Sequence, residues 1–353
     1  LELKLYRLAK LEILLIQKEL GEKRADAART EKLLGSPKAR WQLIRAELLE
    51  LSTEFAQRRR TRILASVDEP EYQAEDFIID EDTVAVLTAQ GWIKRQREVK
   101  DLGTTRLREG DRVADVAAGS TKAQVAFFSN YGACYVCRIV EIPQATGYGT
   151  PVQTMFKLAD GEKLLRMKSF DARMLDVPEP TEGAEPEAPF AVAVTRKGQV
   201  LRFSLRAHRE TSTRTGRKYA RLTEGDEVIY VDVTGPKDFV AAAATDGHAL
   251  ICKVDDVPVL GSAGKGVALM KLEAGEELVG ARLLRSRSDS MVVLNEKGTE
   301  FTVSPSQQSV TARGGKGSPL FKRGKLAGKV EEEPEVPQLG DGPRPSTRPS
   351  KSE

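Results

Sequence analysis

Cysteine is nearly absent from this chain, with Cys134, Cys137 and Cys252 the only three in 353 residues. That number excludes a disulfide framework and predicts a reducing cytoplasm. Histidine is scarcer still. His208 and His248 fall in different repeats with no Ser or Cys motif beside either, so no histidine-based nucleophile pair is assembled. No apolar run approaches the roughly 18 residues of a membrane span, and no leader-type segment opens the sequence. One-sided charge is missing too: 55 basic against 52 acidic residues leave a net +3. Local clustering, rather than the total, must then carry any electrostatic function. Leu1 opens the chain in mid-helix rather than on a methionine, which predicts that it continues a longer polypeptide.

What is present is a repeat. An apolar run, a polar-x-Gly turn and a second apolar run recur around Gly91, Gly132, Gly198, Gly247 and Gly298, at intervals of 41, 66, 49 and 51 residues. Each copy predicts a hairpin, since glycine accepts the positive φ of a tight turn without strain. A second glycine element follows four of them: Thr146-Gly-Tyr-Gly149, Arg214-Thr-Gly216, Gly264-Lys-Gly266 and Arg313-Gly-Gly-Lys-Gly317. A third landmark is a glycine turn, mostly acidic, before a further apolar run, at Gly110, Gly161, Gly225 and Gly275. Two hairpins per roughly 50 residues predict four-stranded blades, and five blades predict a propeller-like disc with few open edges.

The remainder divides around it. Leu1, Leu5, Leu8, Leu11 and Leu15 have helical spacing, a second helical stretch covers about 22–34, and Ser36-Pro37 predicts the cap and first turn of another helix. Trp41, Ile44, Leu48, Leu51 and Phe55 form that helix's stripe. The basic run Arg58-Arg-Arg-Thr-Arg62 suits a solvated helix end. The predicted fold class is α+β, mainly β. Residues 1–63 form a helical, coiled-coil arm, 64–80 a linker, 81–329 a five-bladed β-pinwheel with an acidic insert at 171–189, and 330–353 a disordered tail.

Cys134-x-x-Cys137 has half the spacing of a zinc or redox site, but no second pair completes it and residues three apart on a strand point to opposite faces. Strand packing is the reading, with no metal and no catalytic residue assigned. The glycine boxes lack the strand-to-helix setting of a nucleotide loop. They suit a phosphodiester backbone, which glycines let approach and cations neutralise. Lys94, Arg95, Arg138, Arg202, Arg214, Lys218, Lys253, Lys265, Arg313 and Lys316 are the candidate DNA-binding residues. On one rim they form a cationic belt that bends duplex DNA without reading bases; scattered, they only solvate the surface. Reversing the charge of Arg313 and Lys316 tests this, and should weaken binding to all sequences alike. Glu331-Glu-Glu follows the basic Lys322-Arg-Gly-Lys325, so truncation at Val330 tests whether the acidic tail competes with DNA for the belt, and unchanged affinity would reject that idea.

The order of parts resembles a family. Leu34-Gly-Ser36, Ile44-Arg-Ala-Glu-Leu-Leu-Glu-Leu51, Phe55 and Arg59-Arg-Thr-Arg-Ile63 are similar to the end of the coiled-coil arm in A subunits of bacterial type IIA DNA topoisomerases. Glu81-Asp-Thr-Val-Ala-Val-Leu-Thr-Ala-Gln-Gly-Trp-Ile-Lys94 resembles the first strands of their C-terminal β-pinwheel. Gyrase A subunits carry a Gln-Arg-Arg-Gly-Gly-Lys-Gly box in the first blade, implicated in wrapping DNA. Here 99–110 lacks it, and Ala312-Arg-Gly-Gly-Lys-Gly317 stands in the last blade instead. The missing first box resembles topoisomerase IV more than gyrase, with gyrase the alternative and a protein-binding scaffold the rival from another class. The partners implied by the resemblance are double-stranded DNA, a B subunit, and a homodimer mate through the upstream arm and core. It also implies no membrane and a cytoplasmic, nucleoid-associated location. ATP and Mg²⁺ would be handled by the B subunit, with no cofactor in this segment. The family's nucleophile is a tyrosine assisted by a neighbouring arginine; no tyrosine here directly follows an arginine, so none is assigned.

Overall fold

In a computed structural model, residues 2–57, 78–179 and 185–340 are described, with side chains from residue 12 onward. The basic run at 58–62, most of the expected linker and the end of the tail lie outside them. The chain forms two compact units, 1–71 and 72–353.

The first unit is helical. α1 (Glu2–Gly35) is a single helix rather than two stretches, and α2 (Pro37–Glu54) follows it. The Ser36 hydroxyl accepts from the Ala39 amide at 3.4 Å and Pro37 takes the first turn, where a missing N–H costs nothing. The expected stripe forms on α2 but stays exposed within this unit, Trp41 at 70% and Phe55 at 69%.

The second unit is built from five blades, antiparallel except for one short parallel pairing in the third. The first contains β1 (Asp82–Thr88), β2 (Trp92–Gln96), β3 (Val113–Ser120) and β6 (Thr150–Pro151). The second contains β4 (Gln124–Ser129), β5 (Ala133–Arg138), β7 (Leu164–Ser169) and β10 (Arg217–Lys218). The third contains β8 (Phe190–Thr195), β9 (Gln199–Ser204), β11 (Val228–Thr234), β14 (Val259–Leu260) and β15 (Val267–Ala268), with β14 parallel to β9. The fourth contains β12 (Phe239–Ala244), β13 (His248–Lys253), β16 (Leu278–Leu284) and β19 (Ser318–Pro319). The fifth has three strands only, β17 (Met291–Asn295), β18 (Glu300–Val303) and β20 (Leu326–Lys329).

Each blade is therefore not two local hairpins. One hairpin is followed, after the third-landmark glycine turn, by an inner strand, and the outer strand is lent by the next repeat. β6, β10, β15 and β19 each follow a glycine box and pair with β2, β5, β9 and β13 of the preceding blade. The fifth blade receives no such strand among the described residues.

Period-two alternation assembles the disc. Val125 and Phe127 of β4 pack with Leu87 and Ile93 of the first blade, while Ala126 and Phe128 pack with Ala193 and Phe203 of the third. Cys137 and Cys134 divide in the same way between those two cores. Burial pushes both thiols far above their usual range, which makes them inert packing groups. Cys252 is also buried, its thiol pushed up to about 12.

Two expectations about the acidic segments require correction. Asp171, the first residue of the expected insert, is fully buried: it accepts from the Ser120 amide at 2.8 Å and from Arg173, which also reaches Asp82 at 2.7 Å. Val177 is buried in the core between the second and third blades. Residues 330–340 are not a tail without a core either. Val336 and Leu339 pack on Val84, Val86, Val116 and Ala118, the face of the first blade that no preceding blade covers. Two apolar side chains suffice to seat an acidic, Pro-rich stretch. The tail acids also go elsewhere than Lys322 and Lys325: Glu331 lies 3.7 Å from Arg112, and Glu332 pairs with Arg282.

His208 is packed edge-on to Phe203 at 5.7 Å, and burial, reinforced by Arg217, lowers its pKa to about 4. An unfolded imidazole takes its proton near pH 6.5, which the folded one refuses until about pH 4. Its contribution to stability is thus complete above pH 6.5 and declines by about 3 kcal/mol as pH falls through that window. His208→Gln should flatten the slope of urea-derived stability between pH 6.5 and 4; an unchanged slope would show that the imidazole is not the group responsible.

Candidate nucleic-acid interface

The glycine boxes lie along the outer edges of the blades. Their repeat is kept in hydrogen bonds: the amides of Val152, Tyr219, Leu269 and Leu320, each three residues past a box glycine, donate to the carbonyls of turn glycines Gly91, Gly132, Gly198 and Gly247. The last box requires glycine itself. Gly317 has φ +81°, and a Cβ there would stand 2.4 Å from the Ala249 carbonyl oxygen.

Consecutive boxes are joined to each other. The Lys157 amide donates to Arg214 O at 2.7 Å, Arg221 to Gly264 O at 2.9 Å, and Lys271 to Gly315 O at 2.8 Å. The result is a continuous backbone ribbon along the blade edges from the first box to the last, which four separate glycine loops would not give.

The structure sorts the ten sequence-predicted cations. Lys94 is not a rim residue: it is fully buried, and its ammonium donates to the carbonyls of Arg106 at 2.7 Å and Gly147 at 2.8 Å. Burial, with Arg106 nearby, lowers its pKa. It ties the first-blade loop to the first box. Arg95 is also buried, donating to Ile142 O at 3.2 Å. Arg202 stacks on Phe190 and reaches Asp255 at 3.2 Å, its side chain 11% exposed. These three stabilise blade edges. The expectation failed at β2 because distant segments cover its side chains: the Arg106 and Gly147 carbonyls arrive over Lys94, and the Ile142 carbonyl over Arg95.

The others lie on or beside the ribbon. Arg214 is exposed but its guanidinium donates to Thr154 O at 2.7 Å and Met155 O at 3.1 Å. Arg313 does the equivalent two boxes later, to Asp256 O at 2.9 Å. Lys218 donates to Tyr131 O at 2.8 Å, and Lys316 meets Glu273 at 2.6 Å, which raises the lysine pKa and lowers that of the acid. Arg138 is half-buried and its amide donates to Glu141. Lys253 and Lys265 are exposed.

Sequence reasoning missed a second column. Arg221, Lys271 and Lys322 each fall five residues past a box glycine, at 216, 266 and 317, and all three are exposed. Aligning the boxes on that glycine would have shown it. Thr154 occupies the position in the first box, and the residue before the box glycine runs Tyr148, Thr215, Lys265, Lys316. Positive charge therefore accumulates along the ribbon toward the fourth blade. A groove of backbone amides and lysines, with no convergent acid, base or nucleophile on it among the described residues, fits a polyanion held by its backbone rather than a small substrate.

Five blades with lent outer strands and a basic glycine ribbon define a fold class, the β-pinwheel. The family model described as "DNA gyrase C-terminal domain, beta-propeller" matches three successive stretches, 123–171, 190–234 and 239–285. Over those stretches the chain is similar to the C-terminal domains of type IIA topoisomerase A subunits. The DNA gyrase A protein of Aminobacterium colombiense is 29% identical over 327 residues, 90% of this chain and 38% of that protein. The DNA gyrase A protein of Mycolicibacterium smegmatis is 28% identical over 93% of this chain and 39% of its own length. The chain thus spans under two-fifths of these two relatives. In fold it is similar to the C-terminal domain of DNA topoisomerase IV, with a TM-score of 0.62 at 19% identity, covering 72% of this chain and 78% of that one. The E. coli ParC C-terminal domain is similar at a TM-score of 0.56 and 18% identity, covering 72% and 100%.

Proposed function

We propose that this chain is the DNA-capturing end of a topoisomerase A subunit of the topoisomerase IV kind. The box ribbon holds a duplex by its phosphates and bends it toward the strand-passage machinery of the rest of the enzyme. The observation that carries the reading is the continuous ribbon with exposed, uncommitted cations at Arg221, Lys265, Lys271 and Lys322. Spaced phosphate contacts along a curved edge offset the few kcal/mol that smooth bending of a 20–30 base-pair site costs. The partners are double-stranded DNA, a B subunit supplying ATP and Mg²⁺ chemistry, and a second copy of the A polypeptide. The place of work is the cytoplasm, at the chromosome; among the described residues no helix is long and apolar enough to cross a membrane.

A gyrase-like wrapping role is the second reading, favoured by one observation: Arg313-Gly-Gly-Lys-Gly317 is a near match to the gyrase box, with Thr311-Ala312 in place of its Gln-Arg, and it sits on the outer edge of the fourth blade. Binding of the chain to linear duplex and to nicked plasmid across a salt series, followed by ligation of the bound circles, separates the readings. We expect tight binding to any sequence with a log–log salt slope of about −4 or steeper, at ~0.9 per phosphate contact, and no change in linking number. A changed linking number would transfer the chain to the wrapping role. Absence of binding at low salt would overturn both and leave the scaffold.

A further inference from the structure

The ribbon is not the only concentration of positive charge. The inner strands β3, β7, β11, β16 and β20 surround the axis of the disc, and at its centre lies a cavity of about 510 Å³. Arg112, Lys163, Arg166, Arg282 and Lys329 line it, against two carboxylates, Glu331 and Glu332. Inner strands, or the turns before them, supply these cations from several blades, so the cluster is a product of stacking the blades around one axis.

These cations are not equally satisfied. Arg166 is held between Asp115 at 3.5 Å and Asp232 at 3.9 Å, which keep it charged despite burial. Lys329 has no carboxylate within salt-bridge distance among the described residues. It lies 5.7 Å over the Tyr230 ring, and burial lowers its pKa although Glu331 and Glu332 pull the other way. The two acids reach Arg112 and Arg282 from the start of the C-terminal segment, and both are more than half exposed. The cations are fixed on or beside β-strands, whereas their partners are carried on a segment without regular structure, anchored by Val336 and Leu339.

We propose that the axial cavity is a binding site for a compact, multiply charged phosphate anion of the polyphosphate class, and that Glu331 and Glu332 are its resident occupants, displaced when the anion binds. The volume suits a small ligand. Guanidinium groups on separate blades offer the bidentate donors that phosphate oxygens accept. Because tail and anion compete for the same cations, the anion must loosen the 331–340 segment by the factor by which that segment weakens the anion.

Calorimetric titration of the full chain with tripolyphosphate tests this. Glu331→Gln with Glu332→Gln should bind about tenfold tighter than the parent, since two half-exposed ion pairs no longer compete. Adding Arg112→Gln and Lys329→Gln should remove that site, whereas Lys265→Gln with Lys271→Gln on the outer ribbon should leave it. Hydrogen exchange of 331–340 in the parent should accelerate as the anion is added. No gain on removing the two glutamates would overturn the proposal, and so would binding abolished by the ribbon variant but kept by the cavity variant. Should the fourfold variant not fold, Lys329→Met in the Glu331→Gln, Glu332→Gln background carries the test, with a loss of threefold or more expected and no loss refuting it. DNA binding by the ribbon is measured separately, so the two readings stand or fall apart.

Discussion

Replacing Arg221, Lys265, Lys271 and Lys322 together by glutamate should lower affinity for duplex DNA on the order of a thousandfold at 0.1 M salt. The log–log salt slope should flatten by about 3.6, the loss expected for four phosphate contacts at ~0.9 each. These four side chains are exposed and have no ion pair or hydrogen-bond partner among the described residues. Removing them should leave the fold unaffected. Arg313→Glu with Lys316→Glu, the pair that the box motif itself singles out, should do less to binding and more to stability. The Arg313 guanidinium is committed to the Asp256 and Ala268 carbonyls, and Lys316 to Glu273. Electrophoretic mobility shifts at several salt concentrations, with urea melts of each variant, measure both. If the motif pair lost more affinity than the four free cations, those four would not be the main contacts.

The second large effect is expected from Gly266→Ala. This position has φ +79°, and a Cβ would stand 2.4 Å from the Val200 carbonyl oxygen and 2.9 Å from its carbon. Neither atom can give, because both belong to the backbone of β9. A left-handed alanine costs about 1–2 kcal/mol by itself, and the clash must separate β15 from β9, so a loss of about 3 kcal/mol or more is expected. Gly275→Ala is the control. Its φ is +84° but nothing lies within 4 Å of the added methyl, so only the backbone term remains. Equal urea midpoints for the two variants would show that the close approach does not matter.

Much of this architecture was legible because it rests on local chemistry. The turn glycines, the apolar alternation and Ser36-Pro37 each act within a few residues, and each formed what its residues predict. The opposite-face packing of Cys134 and Cys137 was readable for the same reason. What was not legible depends on which distant segment arrives. Nothing in Gly266-Val-Ala says that it completes the blade before it. Lys94 reads like Lys253, since both follow a turn glycine; only the arrival of the Arg106 and Gly147 carbonyls makes the first a buried structural group. The 331–340 segment reads as polar and Pro-rich, and its seat exists because the first blade has no predecessor. The exposed cationic column at 221, 271 and 322 was readable but needed the box glycine as its zero.

Because each of the outer strands β6, β10, β15 and β19 is lent back to the preceding blade by a later repeat, a ribosome cannot finish one blade before it has made the box of the next. At about 5–20 residues per second and roughly 50 residues per repeat, each blade waits several seconds with an unsealed β-edge, and is sealed only by its successor's emergence. Deleting any repeat would then injure its upstream neighbour as well. Among the described residues the fifth blade has no donor, so within them the outer edge of β18 is left without the strand that seals each of the other four.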